Sequence, residues 1–313
     1  MASEPPTRET LDDLAERYLS PHIRTYREDS TVDAVVDGRA WMRRMDELFA
    51  SLRAGDAVYI ASYQLDPDLD LDGRRPSERG YLPLGALLAR RAAAGVDVRV
   101  ILSGAVFAPG VPQRWGLPFR DNLRNALRLR AWRPDGRGAG PPPLAGRVLL
   151  DWSGGLLGSN HQKFTVVRRA DVLLAGVGGI DFASSRLDDG RHVLRTSRGG
   201  RWGWHDARVV VTGPGAAAVW SLFGGGWAGG ARRPVRHAPP PPMRSPRLND
   251  RPATPPVGAA PAQQPRRAPG TAVQVLRSIG PWYVASILPP GRRRPRDIPA
   301  SGVHEVYEAL VRA

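Results

Sequence analysis

Apolar positions recur at helical spacing in three stretches of the chain, and short apolar runs follow them. The first stretch spans residues 38–55, and its apolar positions are Trp41, Met45, Leu48, Phe49 and Leu52. The run "DAVYIASYQL" that follows predicts a strand ending in a polar loop. "LGALLARRAAAG", closed by Gly95, and "VDVRVILSGAV" repeat this helix and strand pair.

The pattern continues through residue 223. "PFRDNLRNALRLRAW" predicts a third helix, and three strands are predicted in "RVLLDW", "KFTVV" and "DVLLAGV". "WHDARVVVTGPGAAAVWSLF" predicts a strand that leads into a helix. Alternation of this kind indicates the α/β class, with a largely parallel or mixed β-sheet flanked by helices.

Differences in amino-acid composition along the chain indicate separate segments. Residues 1–34 form an acidic, amphipathic segment that we expect to be helical, and residues 35–229 hold the alternating pattern. Residues 230–270 are rich in proline and arginine, and such a composition buries too little apolar surface to offset chain entropy. We therefore expect 230–270 to be a disordered linker.

Charge and cysteine content narrow the function classes. The formal charge of +15 indicates an anionic partner, although most of it falls within residues 230–300, where arginine-rich coding bias is the simpler explanation. The absence of cysteine excludes disulfides, a thiolate nucleophile and cysteine-ligated metals. Because we find neither a signal peptide nor an apolar run near eighteen residues, we expect a soluble cytoplasmic protein.

Lys163 is the only lysine among 45 lysine and arginine residues, and it follows His161 by two positions. A strand sends residues i and i+2 to the same face, so the two side chains would project together. An imidazole beside a compact ammonium suits attack on a phosphate diester, with nitrogen as nucleophile and the cation neutralising a nonbridging oxygen. This chemistry requires no metal or other cofactor. The alternative is a surface lysine without a role.

The stretch "VGGIDFASSRLDD" supplies further candidates. Gly178 and Gly179 would let the backbone approach a phosphate closely. Asp181, Asp188 and Asp189 are the carboxylates available to orient the imidazole.

Three segments in this order, "NHQKFTVV", "GVGGIDFASSRLDD" and "WGWHDARVVVTGPG", resemble the first half of a phospholipase D superfamily protein of bacterial type. The resemblance covers residues 35–229 and implies a phospholipase D-like catalytic lobe. It implies that His161 forms a phosphohistidine, that Lys163 binds phosphate, and that Asp181 is the polar residue after the glycine pair. It also implies that Asp188, or Asp189 as a close alternative, holds the imidazole. His205 and Asp206 match a recurrent pair whose role we expect to be structural.

Two features depart from the family pattern. The HxKxxxxD motif would place aspartate where Arg168 stands, which we interpret as a subfamily trait. The family pairs two HxK motifs, whereas this chain has one, since it has no second lysine. Residues 271–313, which include the helix "GVHEVYEALVRA", resemble the incomplete start of a second lobe. A truncated or split two-motif enzyme is therefore one expectation, and a homodimer that supplies both histidines is the other.

The resulting hypothesis is a phospholipase D-like phosphodiesterase that acts on phospholipid through a phosphohistidine and forms half of a two-motif enzyme. A superfamily nuclease, with the basic linker following the phosphate backbone, is the second hypothesis. A truncated, inactive lobe is the third. The partners implied are a phospholipid or other phosphate diester, a membrane surface contacted peripherally, and a second copy or a missing second lobe; nucleic acid is less favoured.

Overall fold

The computed structural model describes residues 27–104, 119–134, 140–151, 160–192, 203–232, 257–263 and 271–273. These residues form eight strands and four helices. The strands are β1 (Arg27–Val36), β2 (Ala57–Ser62), β3 (Asp97–Ser103), β4 (Val148–Asp151), β5 (Phe164–Arg169), β6 (Val172–Gly178), β7 (Ala207–Thr212) and β8 (Thr271–Val273). The helices are α1 (Gly38–Ser51), α2 (Leu84–Ala93), α3 (Phe119–Ala131) and α4 (Pro214–Arg232).

All eight strands belong to one sheet, in the order β4-β3-β2-β5-β6-β7-β1-β8. Strands β2, β3 and β4 are parallel, because helices connect them, while every other neighbouring pair is antiparallel. The predicted α/β class with a mixed sheet is therefore confirmed. Strand β5 enters antiparallel between β2 and β6, so its first residues lie beside the last residues of both neighbours.

The sheet is covered on both faces. One face packs against apolar side chains of α1, α2 and α3, and the other packs against α4. The helix–strand pairs predicted from residue 38 to residue 223 are all present, because both the helical and the strand periodicities match real buried faces. Strand β2, which is buried along its whole length, lies inside the sheet between β3 and β5.

Contacts among Trp41, Gly176 and Arg208 hold the first face of the sheet against α1. Trp41 of α1 is fully buried, and an added Cβ at Gly176 of β6 would lie 2.2 Å from its ring. The guanidinium of Arg208 lies 4.5 Å from the centroid of the same ring and donates to the carbonyl oxygen of Gly176 at 2.9 Å. Only glycine leaves room for the indole at this position of β6.

The N-terminal boundary differs from the sequence-based expectation. Residues 27–34 were expected to continue a helical segment, yet they belong to β1, which pairs with β7 from Thr31 to Val36. The β-branched residues of "STVDAVV" explain the difference, because they favour a strand that packs on a pleated surface. Residues 1–26 of the expected helical segment lie outside the described residues.

The proline-rich segment also contributes to this lobe. Residues 257–263 contact α4 and β6: Trp220 donates to the carbonyl oxygen of Gly258 at 3.0 Å, and the side chain of Gln263 accepts from the backbone of Leu173 at 3.2 Å. Thr271–Val273 form β8 on the outer side of β1, whereas the sequence assigned residue 271 to a second lobe. Residues 230–232 of the expected linker form the end of α4. The rest of the expected linker and residues 274–313 lie outside the described part of the chain.

The close packing of Trp41 against Gly176 leads to a stability prediction. Gly176→Ala should lower the free energy of unfolding by about 1–3 kcal/mol, because the added methyl overpacks the indole. Gly225→Ala, at an exposed position of α4 with nothing within 4 Å of the added Cβ, should instead raise it by about 1 kcal/mol through helix propensity. Chemical denaturation of both variants measures the difference, and equal stabilities would contradict this account of Gly176.

Candidate active site

The polar residues of interest meet at one edge of the sheet. Ala61 near the end of β2 pairs with Phe164 at the start of β5, which in turn pairs with Val177 near the end of β6. The segments after β2, before β5 and after β6 therefore converge. The segments converge because β5 runs antiparallel to both β2 and β6.

His161 and Lys163 lie together in the segment that leads into β5. The ammonium nitrogen Nζ of Lys163 is 3.0 Å from Nε2 of His161. An ammonium group only donates, so Nε2 accepts this hydrogen bond and the imidazole proton is assigned to Nδ1. Lys163 is buried and His161 is exposed, which leaves the imidazole open to a ligand while its neighbour is fixed.

Asp181 is the carboxylate that the structure places beside this pair. It is fully buried just after β6, and its Oδ1 accepts from Ser62 Oγ at 2.8 Å and from the backbone N–H of Gln64 at 3.0 Å. Its Oδ2 lies 3.6 Å from Lys163 Nζ and 3.8 Å from Arg186 Nη2. Asp181 thus joins the segments after β2 and β6 to the lysine before β5.

Tyr63 is a site residue that the sequence did not single out. Its ring meets the His161 ring edge-on at 4.3 Å between centroids, and Lys163 Nζ lies 4.9 Å from its centroid. The tyrosine therefore packs against both members of the pair. Its position directly after a buried strand was the available signal, since binding residues gather beyond the carboxyl ends of strands in α/β sheets.

Arg186 and Trp204 were also missed. Arg186 is buried in a short 3-10 helix, Ser184–Arg186, and its guanidinium lies 4.2 Å from the centroid of the exposed Trp204 ring. Arg186 gave no signal, because one arginine does not stand out in a chain so rich in that residue.

The surroundings favour the neutral form of the imidazole. His161 is exposed as a residue, but its imidazole is partly desolvated, which lowers its pKa below the ordinary value. The positive charges of Lys163 and Arg186 lower this pKa further, against the opposing effect of Asp181. Burial also lowers the pKa of Lys163, while Asp181 favours its charged form. A neutral imidazole with Nε2 unprotonated is the nucleophilic form.

The other two predicted carboxylates have different partners. Asp188 is buried, and its Oδ2 is 2.9 Å from Nδ1 of His192. Asp189 pairs with Arg39 at 3.4 Å and with Arg191 at 3.1 Å. The contacts of Asp188 and Asp189 are thus with residues other than His161, and a role for either in holding that imidazole stays a prediction.

The two glycines serve packing within the protein. An added Cβ at Gly178 would lie 2.4 Å from the carbonyl oxygen of Ala207, and one at Gly179 would lie 2.0 Å from the Asp206 carboxylate. Close approach of β7 and of Asp206 requires glycine at both positions, and approach of a phosphate to this backbone stays a prediction.

Arg168 lies away from the site. It pairs with Ala57 at the beginning of β2, and its Nη2 donates to the carbonyl oxygen of Gly55 at 2.6 Å. Five residues of strand separate it from Lys163, roughly 17 Å, so it belongs to the opposite edge of the sheet. The residue at this motif position therefore does not touch the imidazole or the ammonium.

His205 and Asp206 connect β7 to the start of α1. His205 Nδ1 is 2.7 Å from Asp37 Oδ1, and the Asp37 backbone N–H donates to the carbonyl oxygen of Asp206 at 3.0 Å. The rings of His192 and His205 meet edge-on at 4.8 Å.

Across the described ranges, no group of three or more histidine and acidic side chains is arranged to hold a metal ion. None of the described helices is both long and apolar enough to cross a membrane.

No protein-family model matches the sequence, and no curated protein matches it. Among solved structures, the chain is similar to yeast tyrosyl-DNA phosphodiesterase, at 10% identity and a TM-score of 0.28, with 58% of this chain covering 32% of that one. A substituted form of the yeast protein matches at 10% identity and a TM-score of 0.28 over 59% of this chain and 30% of that chain. The chain therefore spans less than a third of the length of these structures.

The electrostatics of the imidazole can be measured directly. The pKa of His161 should lie below the ordinary value for histidine, and Lys163→Met should raise it, because removing a neighbouring positive charge makes the imidazolium less unfavourable. Arg191→Met, which removes an exposed arginine paired with Asp189, is the control and should leave this pKa unchanged. NMR titration of the histidine ring carbons reports both values, and an unchanged pKa in Lys163→Met would show that the pair does not interact in solution.

Proposed function

We propose that this lobe is a phosphodiesterase of phospholipase D type, in which His161 attacks the phosphorus of a phosphate diester. The observation that carries the proposal is the 3.0 Å contact between Lys163 Nζ and His161 Nε2 at a sheet edge open to solvent. The resemblance of three ordered segments to the phospholipase D superfamily supports it. The shared substrate chemistry is the phosphate diester, which phospholipids and nucleic acids both supply.

The reaction would proceed in two steps. The Nε2 lone pair forms a nitrogen–phosphorus bond while the bond from phosphorus to the leaving oxygen breaks, and the leaving alkoxide takes up a proton. Water then attacks phosphorus and gives one proton to the group that protonated the leaving oxygen, the nitrogen–phosphorus bond breaks, and a phosphate monoester and free imidazole result. Lys163 would exchange its hydrogen bond to His161 for one to a nonbridging oxygen, where it neutralises the charge that builds up.

Protonation of the leaving oxygen requires a second group. The chain has no second HxK motif, and a positioned general acid contributes roughly a hundredfold to ten-thousandfold in rate. We propose that a second copy of the chain, or a second lobe, supplies this acid. Aryl esters escape the requirement, because p-nitrophenolate leaves without prior protonation.

Activity assays test the proposal with separate substrates. The dilute protein should hydrolyse bis(p-nitrophenyl) phosphate better than phosphatidylcholine vesicles or a single-stranded oligonucleotide, and activity per chain should rise with protein concentration if a homodimer completes the site. His161→Ala should reduce turnover by at least about a thousandfold. His205→Ala, an exposed histidine paired with Asp37, is the matched control and should retain activity.

Two results would contradict this proposal. Undiminished turnover in His161→Ala would show that His161 is not the nucleophile. Full turnover of phosphatidylcholine or oligonucleotide by dilute monomer would show that a second half-site is not needed. The vesicle and oligonucleotide arms distinguish the phospholipase hypothesis from the nuclease hypothesis.

The lysine itself is a second test. Lys163→Arg should lower turnover about tenfold to a hundredfold even though it preserves the charge, because a wide guanidinium does not fit between Tyr63, His161 and the buried Asp181. Steady-state kinetics on the aryl ester, with circular dichroism to verify folding, measure the effect. Wild-type turnover in a folded Lys163→Arg protein would mean that the compact ammonium has no special role.

A further inference from the structure

The charges behind the candidate site do not balance. The cations Lys163, Arg186 and Arg208 interact electrostatically with the carboxylates Asp181 and Asp206, and all three cations are at most 8% exposed. Three cations and two carboxylates leave one positive charge uncompensated within this group. Buried charge is costly unless it is paired, so this edge of the sheet is prepared for an anion.

The hydrogen-bonding groups of Arg208 are directed into the protein and away from the candidate site. Its guanidinium donates to the carbonyl oxygens of Gly176 and Ile180 and lies over Trp41, so its hydrogen bonds and its face are used inside the protein. The remaining cations, Lys163 and Arg186, share one oxygen atom, Oδ2 of Asp181, at 3.6 Å and 3.8 Å. Both separations exceed those of a charge-assisted hydrogen bond, which are about 2.7–2.9 Å.

Arg186 also has unused hydrogen-bonding capacity. Its Nε is buried and has no acceptor among the described residues, although Nη1 donates to Ser185 Oγ at 3.1 Å. The stacking on Trp204 occupies one face of the guanidinium plane and holds it in place, whereas hydrogen bonds form in that plane. Most buried donors in proteins have a partner, so Nε of Arg186 is a donor that could bind an anion.

We propose that Arg186 is a second phosphate-binding residue, which contacts the nonbridging oxygens of the phosphate group together with Lys163. The proposal rests on the phosphate chemistry proposed above for the same site. Both cations lie within 4 Å of one carboxylate oxygen, so an anionic phosphate can bind between them, one nonbridging oxygen to the ammonium and another to the guanidinium fork. Asp181 loosely holds the two cations until phosphate replaces part of that contact.

This arrangement separates binding from turnover. Both phosphate-binding cations come from one lobe, so a monomer binds phosphate without a second half-site, whereas protonation of the leaving oxygen still needs the second acid. Phosphate affinity should therefore be independent of protein concentration even where activity per chain is not.

Calorimetric titration of the full chain with dimethyl phosphate, and in parallel with inorganic phosphate, tests the proposal. Arg186→Met should weaken binding of both anions about tenfold to a hundredfold, as expected for loss of a hydrogen bond between charged groups. Arg186→Lys should lie between wild type and Arg186→Met, because it keeps the charge but loses the fork. Arg191→Met, with a side chain that is 79% exposed, is the matched control and should bind as wild type does.

The outcomes separate this inference from the proposed function. Equal affinity in wild type and a folded Arg186→Met protein, or no measurable binding by wild type, overturns the role of Arg186, whether or not turnover depends on His161. Weakened binding in Arg186→Met, with turnover unaffected by His161→Ala, supports the role of Arg186 and overturns the proposed function. If Arg186→Met does not fold, the comparison of Arg186→Lys with Arg191→Met decides, and equal affinity of those two overturns the inference.

Discussion

The buried carboxylate of Asp181 is the interaction on which the candidate site depends. It receives hydrogen bonds from Ser62, the last residue of β2, and from Gln64 just after it, and it faces Lys163, which precedes β5. A carboxylate with no exposure to solvent must be paired, and these partners come from strands that only this topology brings together. The requirement to satisfy one buried charge thus fixes the relative positions of three segments of the chain.

Arg208 and Trp41 in turn fix the position of the loop that carries Asp181. Arg208 donates to the carbonyl oxygen of Ile180, the residue before Asp181, and it lies between that loop and Trp41 of α1. Burial lowers the pKa of Arg208 to about 9, which still leaves the guanidinium charged at neutral pH. The same arginine therefore links the site loop to the helix layer, and Gly176 provides the space that the indole needs.

Much of the fold could be predicted from sequence, and less of the site. Periodicity identified the helix–strand pairs because each has one buried face. It gave no sign that Arg27–Val36 would pair with β7, where Thr31 lies opposite Thr212, about 180 residues further along the chain. His161 and Lys163 were identifiable because a single lysine stands out in an arginine-rich chain. Arg186 and Arg208 could not be identified in this way, because a single arginine is not distinctive in a chain with so many arginines.

The carboxylates show the limit of spacing as a guide. Asp181, Asp188 and Asp189 lie within nine residues of one another, and only the turn after β6 decides which of them faces Lys163. That turn depends on Gly178 and Gly179 packing against Ala207 and Asp206, which is information from a distant strand. Local sequence therefore identified a set of acids, and tertiary packing selected one.

The division between lysine and arginine at this edge has a physical logic. Lys163 reaches His161 Nε2 at 3.0 Å from two residues away and lies under the Tyr63 ring, a space that suits a narrow point charge. Arg186 stacks on Trp204 and extends a planar fork, which suits the outer oxygens of a phosphate. A chain that uses arginine almost everywhere keeps lysine at the one position where a hydrogen bond to the proposed nucleophile and entry into a crowded, buried space are required together.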